Sequence, residues 1–61
     1  MPRYRITNTE TAAELGEYRA ANPDDALDAL ARDAGYDDYA DWLDHAPGLD
    51  PNDLDVEYVG D

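Results

Sequence analysis

Lysine, cysteine and serine are missing from this chain, and each absence closes a class of function. Without cysteine there are no disulfides and no thiolate metal ligands. Without serine and cysteine the common nucleophiles of covalent catalysis are gone, and Thr7, Thr9 and Thr11 have no evident base to activate them. Without lysine, the only permanent cations are four arginines, at 3, 5, 19 and 32. They form no basic stripe of the kind that neutralises phosphates, so direct nucleic-acid binding is not expected. The four glycines are isolated, which removes the phosphate-cradling loops. No apolar run approaches the roughly 18 residues of a membrane span. Met1-Pro2-Arg3-Tyr4-Arg5-Ile6 has no apolar h-region, so neither a signal peptide nor membrane association is expected. A soluble, cytoplasmic protein is the expectation. The missing disulfides do not themselves identify the compartment, although a reducing cytosol is compatible with them.

What fills the space is acid. Sixteen Asp and Glu residues, twelve of them Asp, give a formal net charge of −12 on 61 residues. This composition resembles that of proteins from salt-in halophiles, whose molar KCl screens the repulsion. High net charge with low hydrophobicity also marks disordered segments. Here the apolar residues are strongly patterned and helix punctuation is clear, and that agreement between levels argues for folding. A 61-residue chain is expected to form one domain over residues 1–61. At that size it buries only about 60% of its unfolded surface, so its stability is marginal.

Residues 3–8 alternate, with Tyr4 and Ile6 on one side and Arg3, Arg5 and Thr7 on the other, which predicts a strand. Residues 9–13 suit a hairpin connection. A second strand is predicted over 14–20. Leu15 falls out of phase with Tyr18, and Gly16 between them predicts a bulge that restores the phase. Asn22-Pro23-Asp24-Asp25 is a helix start: a capping side chain, a proline suited to the first turn, and two acids at the positive end of the dipole. Ala26, Leu27, Leu30, Ala31 and Ala34 follow at helical spacing, and Gly35 predicts the stop, giving a helix at 23–34. A second helix is predicted from Asp37 or Asp38, carrying Tyr39, Trp42, Leu43 and Ala46, and ending at Pro47-Gly48. Asp50-Pro51-Asn52-Asp53 predicts a single turn, and 54–59 a third strand.

The predicted fold is α+β with element order ββααβ: a three-stranded antiparallel sheet in order 2-1-3, with two helices on one face. The expected core is Tyr4, Ile6, Leu15, Tyr18, Leu27, Leu30, Ala31, Tyr39, Trp42, Leu43, Leu54, Val56 and Tyr58. Four segments carry a resemblance: Tyr4-Arg5-Ile6-Thr7-Asn8, Leu15-Gly16-Glu17-Tyr18, Pro23-x-x-Ala26-Leu27 and Ala31-Arg32-Asp33-Ala34-Gly35-Tyr36. Together they resemble a group of small uncharacterised prokaryotic proteins. The resemblance implies a compact fold and carries over no activity and no functional residue.

The acidic pairs offer oxygen ligands, but Asp50-Pro51-Asn52-Asp53-Leu54-Asp55 lacks the glycine of a calcium loop and has Leu54 where a ligand is needed. Asp24, Asp25 and Asp37 or Asp38 serve as helix-start residues. Diffuse cations, rather than a bound metal or cofactor, are expected. His45 sits near a helix end, where its cationic form suits the dipole. Trp42 and Tyr39 read as core residues more readily than as interface anchors. No catalytic residue stands out.

Arg3, Arg5 and Arg19 should share the sheet face turned away from the helices, together with Glu17, Asp55 and Glu57. That pattern reads as cross-strand ion pairs, or more sharply as a docking surface. Val59 should point outward from the third strand, and contacts are expected through that strand or the arginine face, the bulged second strand being the poorer edge for pairing. The candidate interaction surface is therefore Arg3, Arg5, Arg19, Glu57 and Val59. The resulting expectation is a non-catalytic acidic protein-interaction module or accessory subunit from a halophilic archaeal cytosol, with a protein partner or a second copy. The alternative is an acidic mimic of nucleic acid, such as a decoy or antitoxin-like protein blocking a nucleic-acid-binding partner. A small enzyme or metal carrier is a third class.

Overall fold

A computed structural model describes residues 1–61. The elements are β1 (Arg3–Asn8), β2 (Ala13–Arg19), α1 (Pro23–Asp33), α2 (Tyr39–His45), a 3₁₀ turn at Pro51–Asp53 and β3 (Leu54–Gly60). The strands form one antiparallel sheet in the order β2-β1-β3. This is the predicted α+β architecture. Ile6, Ala20, Ala26 and Leu30 form the buried centre, with Tyr4, Tyr18, Leu27, Trp42 and Val56 packed against it. One sheet face is thus covered by α1 and by Trp42 of α2. The molecule is only 15 Å across its shortest axis, and the opposite sheet face has no covering layer. No helix is long and apolar enough to cross a membrane.

The hairpin between β1 and β2 turns on Asn8, whose Oδ1 accepts from the amides of Glu10 and Thr11 at 2.9 and 3.3 Å. β2 then carries the expected bulge. Ile6 pairs with Gly16 while Thr7 pairs with Glu14, so Leu15 has no partner. Gly16 has φ +147, and a Cβ placed on it would lie 3.0 Å from Tyr18 Cε2 and 3.1 Å from its hydroxyl. The Tyr18 ring therefore lies across the glycine, two residues along on the same face.

The expected core needs correcting in two directions. Leu15 is 36% exposed because the bulge takes it out of the ladder. Tyr58 is 59% exposed. It faces the helix side on an edge strand, where its main cover is an edge-on contact with Tyr4 at 5.9 Å between ring centroids. In their place Ala20 and Ala26 are buried. Small residues at these positions let helix and sheet backbones come close, so the core is built from alanine as much as from large side chains. A second bulge, not expected, lies in β3. Tyr4 pairs with Tyr58 and Arg3 with Gly60, which leaves Val59 unpaired and only half-exposed.

The helix ends follow local chemistry. The Asp25 amide donates to Asn22 Oδ1 at 2.8 Å. At the far end Gly35 has φ +100, and the Gly35 and Tyr36 amides donate to the Arg32 and Ala31 carbonyls, both at 3.0 Å. This is a Schellman stop, with Ala34 as its C-cap. Of the two possible caps for α2 the structure uses Asp38, which accepts from the Asp41 amide at 2.8 Å. Asp41 Oδ2 in turn accepts from the Asp37 amide at 3.0 Å. The Tyr39 amide donates across to Asp28 of α1, also at 3.0 Å, which ties the two helices together. Asp50 caps the 3₁₀ turn by accepting from the Asn52 amide at 2.9 Å. Asn22→Ala is expected to cost about 1 kcal/mol through the lost α1 cap, measured as a shift in the denaturant midpoint at constant slope.

Candidate functional site

The uncovered sheet face is assembled by alternation along β1 and by the bulge in β2. Arg5 is its centre. Arg5 Nη2 donates to Glu17 Oε2 at 3.3 Å. Arg5 Nε lies 2.9 Å from Glu14 Oε1, an ion-pair contact without hydrogen-bond alignment. Arg3 Nη1 lies 3.8 Å from Glu17 Oε1. Hydrogen bonding and charge from Glu17, then the charges of Glu14 and Glu57, raise the Arg5 pKa above its ordinary value. These side chains are about two-fifths exposed or more, so the pairs contribute little to stability, about 0–1 kcal/mol each.

The five residues expected on this surface divide. Arg3 and Arg5 sit together in the ion-pair cluster. Glu57 lies directly across from Arg5 on β3. Arg19 lies directly across from Arg3, and no carboxylate forms an ion pair with it. Val59 is the bulged residue of β3, so simple alternation does not assign it to the outer face. The residue that sequence reasoning missed is Glu14. In a regular strand, positions 14 and 17 point to opposite faces. The extra residue at 15 brings both carboxylates to Arg5, and Gly16 was the signal for it.

Charge is divided unevenly over the molecule. Arg3, Arg5 and Arg19 share the open face with Glu14, Glu17, Asp55 and Glu57. The rest of the chain holds the other twelve carboxylates and one arginine, Arg32.

Two features lie elsewhere. Tyr36 is stacked on both Trp42 and His45, with centroids 6.2 and 6.0 Å away, and Tyr39 meets Trp42 edge-on. His45 Nδ1 lies 2.9 Å from the Asp41 carbonyl and 3.2 Å from Asp41 Oδ1. That backbone contact, and then the Asp41 charge, raise the His45 pKa, in keeping with a cation at a helix C-terminus. The second feature is a shallow cavity of about 330 Å³ where β2 runs into α1, lined by Arg19, Ala20, Asp25, Asp28 and Arg32 among others. No three His, Asp or Glu side chains converge in a way that could hold a metal ion. No family model, curated protein or solved structure matches the chain.

Proposed function

We propose that this chain is a non-catalytic protein-interaction module of a salt-rich cytosol, and that it docks through its sheet rather than its helices. The segregation of charge carries this reading. A partner approaching the open face meets three arginines balanced against four carboxylates. From any other direction it meets a nearly unbroken field of acid, and a like-charged surface is repelled. The same face is uncovered and is bounded by two edge strands, the elements by which sheets recruit further strands.

A nucleic-acid mimic would use the other side, placing carboxylates where phosphates sit. Against that, Asp28, Asp38, Asp41 and Asp50 accept hydrogen bonds from helix- and turn-start amides, so helix geometry accounts for their positions. The test is affinity purification on the immobilised chain at molar KCl, repeated with Arg5→Glu and with competing DNA. A stoichiometric protein retained by the native chain and lost with Arg5→Glu is expected. Retention unaffected by Arg5→Glu but abolished by DNA would overturn the reading in favour of the mimic.

A further inference from the structure

We propose that the free edge of β2 pairs antiparallel with the β2 edge of a second copy about a two-fold axis at Tyr18, extending the sheet to six strands. The proposal rests on the reading of the sheet as the interaction element and names the partner.

The first support is which backbone groups face outward. The Ala20 amide donates to the Pro2 carbonyl, so Ala20 is turned toward β1. Alternation then turns Tyr18 and Gly16 inward and leaves the N–H and C=O of Glu17 and Arg19 at the free edge. No turn, cap or side-chain hydrogen bond uses the Glu17 or Arg19 backbone. An axis at Tyr18 places Glu17 opposite Arg19 of the other copy, and Arg19 opposite its Glu17. Both are outward-facing residues, and each such pair exchanges two bonds. Four main-chain hydrogen bonds close the junction.

Charge supports the same register. Arg19 is the open-face arginine with no ion pair, and it stands across from Arg3. Like charges directly opposite are unfavourable. The second copy's Glu17 arrives beside Arg19 in this register and relieves that pair, twice by symmetry. The other edge fails the test. The Thr9 amide donates to the Asp53 carbonyl, so Asp55 and Glu57 turn toward β1 and the outward amides of β3 are those of Val56 and Tyr58, the Leu54 amide being held by the Pro51 carbonyl. The open-face side chains of β3 within the regular ladder are Asp55 and Glu57. Pairing β3 with its own copy therefore brings carboxylates together and supplies no cation.

A two-fold axis normal to the sheet puts both helix layers on one side, so the acids of the two α1 helices come nearer each other. The dimer should therefore tighten as KCl rises, since added salt screens this longer-range repulsion more than ion pairs in contact.

Sedimentation velocity at about 2 M KCl should show twice the chain mass. Arg19→Glu should weaken association at least tenfold with the circular dichroism unchanged, and Arg19→Lys should retain it. Glu17→Arg mixed with Arg19→Glu should restore a heterodimer. Hydrogen exchange on the native chain needs no variant: the Glu17 and Arg19 amides should slow with concentration, while those of Val56 and Tyr58 stay fast. A monomer at high concentration, protection at β3, an open-ended series of species, or a dimer indifferent to Arg19→Glu would overturn the proposal. A monomer that still captures a different protein through the Arg5 face would leave the module reading standing and sink only this one.

Discussion

Lowering KCl from about 2 M to about 0.05 M is expected to unfold the chain or sharply lower its melting temperature, because the Debye length rises from a few Å at molar salt to well over 10 Å. The source is the net charge of −12 on a body whose Cα radius of gyration is 10.9 Å. In water, two like charges about 10 Å apart repel by about 0.4 kcal/mol. The excess carboxylates form dozens of such pairs, and their sum reaches several kcal/mol. A small domain's whole stability is about 5–15 kcal/mol. This one has only five buried residues, three of them alanine, so the hydrophobic reserve against repulsion is thin. A loss of about 3 kcal/mol would move the midpoint by roughly 12–24 °C in a domain of this size. Helical circular dichroism followed through melts in a KCl series makes the measurement. A melting curve indifferent to salt would remove the case for a halophilic setting.

Gly16→Val is expected to be the most damaging exposed-strand substitution, costing about 3 kcal/mol or more. Two terms combine. Gly16 has φ +147, a region that a β-branched residue resists, at about 1–3 kcal/mol. Its new Cβ would also lie 3.0 Å from the Tyr18 ring, and Tyr18 packs against the buried centre. Moving that ring opens the sheet side of the core. Gly35→Val supplies the comparison. Gly35 has φ +100 and nothing within 4 Å of an added Cβ, so it carries the backbone term alone. Denaturant midpoints of the two variants at one molar-salt condition separate packing from strain. Equal losses would show that the Tyr18 ring yields without cost and that only backbone geometry needs the glycine.

Much of this fold is legible along the chain because its signals are local. Asn22-Pro23 and Gly35 mark the ends of α1 through hydrogen bonds made within a few residues, and those bonds form as expected. Alternation in β1 assigns Tyr4 and Ile6 to one face and Arg3 and Arg5 to the other, and the strand order follows from short antiparallel connections. Even the β2 bulge was visible, since Leu15 and Tyr18 are out of phase and a glycine lies between them.

The sequence by itself thus determined the element order, the helix boundaries to within two residues, the sheet order, the acidity and the three arginines that make the open face electrically distinct. Tertiary structure decided the rest. It decided that Leu15 leaves the ladder and that Tyr58 lies beyond the helices' cover, because burial depends on where a helix ends over a sheet and not on hydrophobicity. It decided that Ala20 and Ala26 form the buried centre, because close approach of two backbones rewards small side chains. It brought Glu14 and Glu17 to the same arginine and left Arg19 without one. Those last two outcomes depend on register, which one inserted residue resets along a whole strand, so cross-strand neighbours are known only once the strands have paired.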